Sequence, residues 1–197
     1  MFVIDNSALN TIFLEARTIN KWSDKKIDDE LIKKLYETAR LGPTAANSNP
    51  ARFTFIKSDA AKAKLKPYLA PNNIEKTIAA PINVIAAFDP LFFNNVPKLF
   101  PHMPAAKDWY EQSPDKGFAA GQMNATLGAA YLIIAARALG LDCGPMSGFD
   151  NEGVDKAFFA QSGFKSIFLI NLGYRAMGEP HNARLPRLDF KEACEII

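Results

Sequence analysis

Polar and apolar positions repeat along this chain with two periods, and the change from one to the other marks out its elements. Between Asp28 and Arg40 the apolar residues Leu31, Leu35, Tyr36 and Ala39 recur at helical spacing and predict one buried stripe. Asp28 is placed to cap this helix, Asp29 and Glu30 suit the positive end of its dipole, and Ile27 can staple against Ile32. Ser7 to Ala16 carries a second such stripe (Leu9, Ile12, Phe13, Ala16), with Ser7 as the expected cap. Arg52 to Lys57, Ile82 to Phe88 and Ser166 to Gly173 are short apolar runs that predict strands. Ser58 opens a helix through about Leu69, and Asp150 opens another to about Ala160. Ala119 to Leu139 predicts a long helix, apolar nearly all round, which suits a central core element or a subunit interface. Asp89 to Pro114 has no period; its aromatic residues are broken up by prolines, as in a packed excursion or an active-site lid, and a lid is the expectation. Few strands among long helical segments give α+β or α/β from pattern alone.

Composition narrows the possibilities. At 197 residues the chain fits a single domain spanning 1–197. A net charge of +2 gives no electrostatic case for nucleic acid or an anionic membrane. The apolar run Ala125 to Ala136 is too short to span a bilayer, and Met1-Phe2-Val3-Ile4-Asp5 lacks a signal-peptide pattern. Cys143 and Cys194 have no metal-ligand spacing and read as free thiols in a reducing, cytoplasmic setting. His102 has no second histidine nearby, so no metal site is expected. Neither a Gly-x-Gly-x-x-Gly nor a Gly-x-x-x-x-Gly-Lys nucleotide loop is present, nor a Gly-x-Ser-x-Gly elbow. A cofactor that carries the redox chemistry itself would account for these absences.

Five stretches are candidates for holding one. Gly42-Pro43-Thr44-Ala45-Ala46-Asn47-Ser48-Asn49-Pro50 joins a helix to a strand, with Gly42 suited to a left-handed residue past the helix end. Pinned by prolines and free of bulky side chains, it can lie flat on a planar ring; on composition alone it is an ordinary polar turn. Arg17-Thr18 follows a helix and could hold a phosphate by a guanidinium fork and a hydroxyl, or be a plain surface loop with Trp22 plugging the core. Asn73 and Lys76 share a helical face, which suits a ring edge that becomes anionic on reduction and equally a solvated surface. Gly144-Pro145-Met146-Ser147-Gly148-Phe149 reads as tight loop backbone. Arg184 and Arg187 could complete a phosphate clamp with Arg17, and His181 reads as a surface loop residue. In the aperiodic segment, Lys98, His102 and Lys107 are the cations available to an acidic substrate.

These stretches, in this order, resemble the FMN-dependent nitroreductase family. Pro43 to Pro50 is similar to its flavin loop, usually Pro-Ser-Ser-x-Asn-x-Gln-Pro, with Asn49 in place of Gln. Arg17, Thr18 and Trp22 fall on the last Arg–Ser pair and the Phe of an N-terminal Arg-Arg-Ser-x-Arg-x-Phe pattern, whereas Ala16 and Asn20 replace two of its cations. Pro145 to Phe149 is similar to its Pro-x-x-Gly-Phe, with Ser147 where Glu is common. The resemblance implies an α+β fold with a mainly antiparallel central sheet flanked by helices. It also implies an intertwined homodimer, with FMN at the interface and NADH or NADPH as donor. Arg17, Thr18, Arg184 and Arg187 would hold the phosphate. Asn20, Asn73 and Lys76 would face the ring edge, the backbone of Pro145, Met146, Ser147 and Gly148 would approach N5, and Pro43, Thr44, Ala45, Asn47 and Asn49 would reach in from the partner.

Ala-Arg-Thr-x-Asn-x-Trp, Asn-Ile-Glu-Lys-Thr-Ile-Ala-Ala-Pro and Pro-Lys-Leu-Phe-Pro-His are similar to the malonic semialdehyde reductase branch. This implies reduction of malonic semialdehyde to 3-hydroxypropanoate in uracil breakdown, by a ping-pong cycle with hydride passing through flavin N5. A broad nitroaromatic or quinone reductase is the enzyme alternative, and a flavin-binding protein without turnover is the alternative of another class.

Overall fold

The computed structural model describes residues 3–178 and 183–197; His181 lies outside them. The first helix, α1 (Asn6–Leu9), starts a residue earlier than expected, because Asp5 and not Ser7 caps it: Ala8 N–H donates to Asp5 Oδ1 at 2.7 Å. It widens into a π-helical turn, Asn10–Leu14, that leaves Phe13 half exposed rather than buried in a stripe. Helix α2 (Asp29–Ala39) is capped by Asp28 as expected, and buries Leu35 and Ala39 while Tyr36 stays exposed. Next come β1 (Ala51–Ile56), α3 (Asp59–Leu65, capped by Ser58), α4 (Pro71–Ala79) and β2 (Ile82–Phe88). The aperiodic segment folds into short helices, among them α5 (Val96–Leu99) and α6 (Asp108–Glu111), that bury Phe92, Val96 and Ala106. Helix α7 (Pro114–Ala138) begins well before Ala119, since a proline in the first turn has no hydrogen bond to lose. The chain ends with β3 (Asp142–Met146), α8 (Asn151–Phe159, capped by Asp150), β4 (Lys165–Gly173) and α9 (Phe190–Ala193).

Strand β3 corrects the expected loop at 144–149. Gly144 and Pro145 hide it in the sequence, but it is an edge strand, where a missing N–H costs least. The sheet runs β1-β2-β4-β3 with every neighbouring pair antiparallel, so the fold is α+β. Both faces are covered. Ile82, Val84, Ala86, Ile170 and Leu172 pack under α2 and α7 on one side. Ile85, Ala87 and Leu169 pack under α3 and α8 on the other. Helix α7 is long and apolar enough to cross a membrane, at about 37 Å. It is not buried all round: one side packs on α2 and the sheet, and the other leaves Phe118, Met123 and Leu127 exposed.

One polar cluster interrupts the core. Asn83 and Asn171 face each other across β2 and β4, fully buried, with Asn83 Nδ2 donating to Asn171 Oδ1 at 2.8 Å and to Thr77 O at 2.7 Å. Asn171 Nδ2 and Trp22 Nε1 both donate to Lys76 O, at 3.3 and 3.0 Å. The last turn of α4 is thereby tied to the sheet. Replacing Asn83 by Ala leaves the buried Asn171 Oδ1 without its donor and opens a small cavity, so urea unfolding is expected to register a loss of about 2–4 kcal/mol. A loss below about 1 kcal/mol would show that the cluster contributes little.

Cys143 lies under α7 with its thiol pushed up to about 12, chiefly by burial, with Asp142 adding to the shift and Arg137 opposing it. Cys194 is exposed. Iodoacetamide at neutral pH is therefore expected to label Cys194 in the native protein and Cys143 only after unfolding, as read by mass spectrometry. Native labelling of Cys143 would contradict the buried placement.

Candidate functional site

The predicted site residues gather in two groups, one at each edge of the sheet. The first group lies along β3. Residues 17–22 run beside this strand: Thr18 bridges Cys143, Ile19 N–H donates to Cys143 O at 3.0 Å, and Trp22 is anchored on Lys76 O. Ile19 is buried and its neighbours Thr18 and Asn20 are exposed, as in an extended strand. Gly144 sits where any Cβ would meet Ile19 O at 2.7 Å, so the close approach of this segment requires glycine.

At the end of β3 the backbone turns through Pro145, Met146, Ser147 and Gly148. Gly148 O accepts from Ala70 N–H at 3.1 Å and from Asn73 Nδ2 at 2.8 Å. Asn73, buried, therefore spends one amide hydrogen bracing this turn, and a Cβ on residue 148 would strike its Nδ2 at 2.5 Å. Thr77 Oγ1 contacts Met146 Sδ at 3.3 Å. The N–H groups of Ser147 and Gly148 have no acceptor among the described residues. The half-buried Lys76 ammonium likewise has no partner among them. Two free amide donors and one cation thus stand beside a turn that is fixed from behind.

Along the same edge lies a recess of about 490 Å³ lined by Arg17, Thr18, Arg184 and Arg187, which joins the expected phosphate residues. Arg17 Nη1 donates to Leu14 O and Ala16 O, both at 2.9 Å. Arg184 Nη2 donates to Phe13 O at 2.7 Å and Leu14 O at 2.6 Å. Both guanidiniums sit where the first helical segment ends and its carbonyls are unpaired. Arg187 holds its own chain through Leu185 O and Pro186 O. Arg137, from the last turn of α7, also lines this recess. Its sequence signal was only a cation closing an apolar run, and the fold supplies the rest.

The second group sits at the start of β1. Gly42 is not left-handed as expected; it is needed because a Cβ there would overlap the Tyr131 ring at 2.1 Å. Tyr131 OH donates to Pro43 O at 2.9 Å, and Ala45 N–H donates to Asn124 Oδ1 at 2.8 Å. Ala46, Asn47 and Asn49 all have positive φ, at 50°, 47° and 43°. Thr44 Oγ1 accepts from Asn49 N–H at 3.1 Å, and Asn49 Nδ2 folds back onto Asn47. Asn47 Nδ2 donates to Leu99 O at 2.8 Å, which seats α5 and the exposed Lys98 against this loop. The two amides therefore brace the loop, whose exposed residues are Pro43, Ala45 and Asn47. Further along, His102 stacks on Phe100 with centroids 3.9 Å apart, and Lys107 is paired with Glu111 at 3.0 Å.

The groups do not meet within one chain. Strands β1 and β3 are the two edges of the sheet, roughly 14 Å apart across three strand spacings. They are also offset along the strands: Ala51 pairs with Phe88 and through it with Lys165, whereas Met146 pairs with Leu169. No group of three or more His, Cys, Asp or Glu side chains suited to a metal ion occurs among the described residues.

Known proteins share this fold. The profile described as the Nitroreductase family matches residues 14–174. A Stutzerimonas stutzeri protein provisionally named NADH dehydrogenase/NAD(P)H nitroreductase is 52% identical over 193 residues, covering 98% of this chain and 97% of its own. A Ralstonia nicotianae protein with the same provisional name is 50% identical over 197 residues, covering 100% of both. Among solved structures, a provisionally assigned nitroreductase of Bacillus subtilis superposes with a TM-score of 0.87 at 21% identity, over 98% of this chain and 100% of that one. Another provisional nitroreductase, from Exiguobacterium sibiricum and solved in complex with FMN, gives 0.79 at 21% identity, over 94% and 95% of the two chains. The structural likenesses speak for the fold, and the profile together with the half-identical relatives decides membership: the chain belongs to the nitroreductase family.

Proposed function

We propose that this protein is an FMN-dependent NAD(P)H oxidoreductase that works as a homodimer. The observation that carries the reading is the β3 edge, which carries a cationic recess and, at the end of the strand, two unpaired backbone N–H groups and an unpaired ammonium. A phosphomonoester of about −1.5 to −2 charge suits the recess. Arg17, Thr18, Arg184 and Arg187 would hold it, and Asn20, Asn73, Lys76 and the turn Pro145–Gly148 would hold the ring. When bound, FMN supplies the redox chemistry, taking hydride from NADH or NADPH and passing it to a second substrate. The protein's part is to orient the ring through the Ser147 and Gly148 donors and to offset negative charge with the Lys76 ammonium. No side chain acts as nucleophile, and the product alkoxide takes its proton from water.

Two exposed surfaces and a missing half-site support the dimer. The α7 face around Met123 and Leu127 is apolar and uncovered, and the tail carries exposed Leu185, Leu188, Phe190 and Ile196. The four-residue helix α9 buries none of its residues, although a helix this short needs packing to persist. A second copy that covers these surfaces would bring its Pro43, Thr44, Ala45, Asn47 and Asn49 to the ring.

We infer malonic semialdehyde as substrate, reduced to 3-hydroxypropanoate. Support comes from the branch-like motifs and from Lys98, an exposed cation seated beside the partner loop and free to meet a carboxylate. A second reading, a broad nitroaromatic or quinone reductase, is favoured by the names of the half-identical relatives.

The purified protein is expected to show an FMN spectrum that bleaches on anaerobic addition of NADH or NADPH and recovers with malonic semialdehyde. Recovery with quinones or nitroaromatics alone would keep the flavin site and discard the aldehyde. Failure to bleach would leave a flavin-binding protein without turnover, and no flavin after reconstitution would end the proposal. Lys98→Ala is expected to raise KM for malonic semialdehyde roughly five- to tenfold, with turnover of an uncharged quinone unchanged. Equal loss on both substrates would count against carboxylate recognition.

A further inference from the structure

We infer that Arg137 is a further cationic ligand of the anion held beside Arg17 and Arg184; this rests on the FMN reading above and adds a residue to its phosphate site. Four guanidiniums, those of Arg17, Arg137, Arg184 and Arg187, line one recess, and no Asp or Glu lines it with them. None of the four makes an ion pair among the described residues. Like charges gathered without a counter-charge repel one another, and a bound dianion removes that repulsion.

The adjoining recess shows what a compensated arrangement looks like. Arg17 and Arg137 form its near wall, but Glu15 and Asp142 stand in it, and Arg175 forks onto Asp142 at 2.6 and 3.0 Å. The Asp142 carboxylate is already satisfied, and neither it nor Glu15 forms an ion pair with Arg137 among the described residues. The charge of Arg137 remains available to the other side.

Position adds to charge. Arg137 is half-buried and directed by a single hydrogen bond, Nη1 to Ile12 O at 3.0 Å, which leaves the rest of its fork for a ligand. It grows from the last turn of a 25-residue helix, a far stiffer base than the tail that carries Arg184 and Arg187. The negative end of the α7 dipole favours one cation there, but it does not explain three more converging on the same recess. Arg137 is the preorganised member of the set, present before the tail settles.

The test is flavin binding by the full-length protein stripped of cofactor, using FMN and riboflavin, which lacks the phosphate. Fluorescence quenching is expected to show Arg137→Gln weakening FMN ~10-fold while leaving riboflavin unchanged. Arg137→Lys, which keeps the charge and loses the fork, is expected to recover most of that affinity. Wild-type affinity for FMN in Arg137→Gln would overturn the assignment and leave the FMN reading standing. So would equal weakening of FMN and riboflavin, because it would mean that Arg137 serves only to hold the Ile12 carbonyl. If the wild-type protein binds neither flavin, both readings fall together.

Discussion

The site depends on two asparagines in the middle of the sheet. Asn83 and Asn171 lie directly opposite each other on the central strands, on a face whose core neighbours include Ile56, Ile85 and Leu169. Burying two amides there is costly unless their hydrogen bonds are made. They are made to each other and to the last turn of α4, through Thr77 O and Lys76 O, with Asn83 Oδ1 alone of the pair's amide atoms left without a partner among the described residues. A slip of either strand, or of the helix, would break them. The cluster therefore acts as a register pin. It fixes Lys76 directly, and one turn back it fixes Asn73, which holds the Gly148 carbonyl. From core to ligand surface the chain of contacts has no flexible link, which is what preorganised donors require.

The order of the strands sets the second constraint. With β1 and β3 at opposite edges, no bending within this fold brings residues 43–49 to residues 145–148. Either the two groups serve different ends, or a second copy supplies the one that the first lacks. The surfaces favour the second choice. A symmetric pair buries the same patch twice, so one apolar face on α7 and one uncovered tail are enough to build an extensive interface. In the proposed dimer, covering this apolar surface would also give the joining of site and interface a stability rationale.

What the sequence made legible was local. Asp28, Ser58 and Asp150 cap the helices they were expected to cap, because a cap is decided by one side chain and the next turn. The strands β1, β2 and β4 were visible as apolar runs. Strand β3 was not, since Gly144 and Pro145 weaken strand propensity and only its edge position makes them acceptable. Among site residues, the phosphate candidates Arg17, Thr18, Arg184 and Arg187 converge although most of the chain separates them. The asparagine pair and Arg137 escaped notice for one reason. Each looks like a polar interruption of an apolar run, and its meaning lies in a partner far along the chain. An Asn inside Ile82 to Phe88 was nevertheless a signal, because a buried strand does not keep an unpaired amide.

The loop from Pro43 to Pro50 shows how rigidity can be placed where contact is still to come. Three non-glycine residues within four positions, Ala46, Asn47 and Asn49, have positive φ at a cost of order 1–3 kcal/mol each, and such a conformation persists only when its surroundings impose it. Here they do. Asn124, Tyr131 and Leu99 grip the loop from α7 and α5, and Arg52, itself paired with Asp89, donates to Asn49 O at 3.0 Å. The polar side chains that an unconstrained loop would turn outward are folded back to make these bonds. What is exposed, at Pro43, Ala45 and Asn47, is a loop of fixed shape on the sheet edge opposite its own chain's recess. A loop serving only as a connection would gain nothing from such strain. A loop that must present a flat surface to another subunit gains a lower ordering cost at the moment of contact. In the proposed dimer the strain is thus local, and the benefit belongs to the assembly.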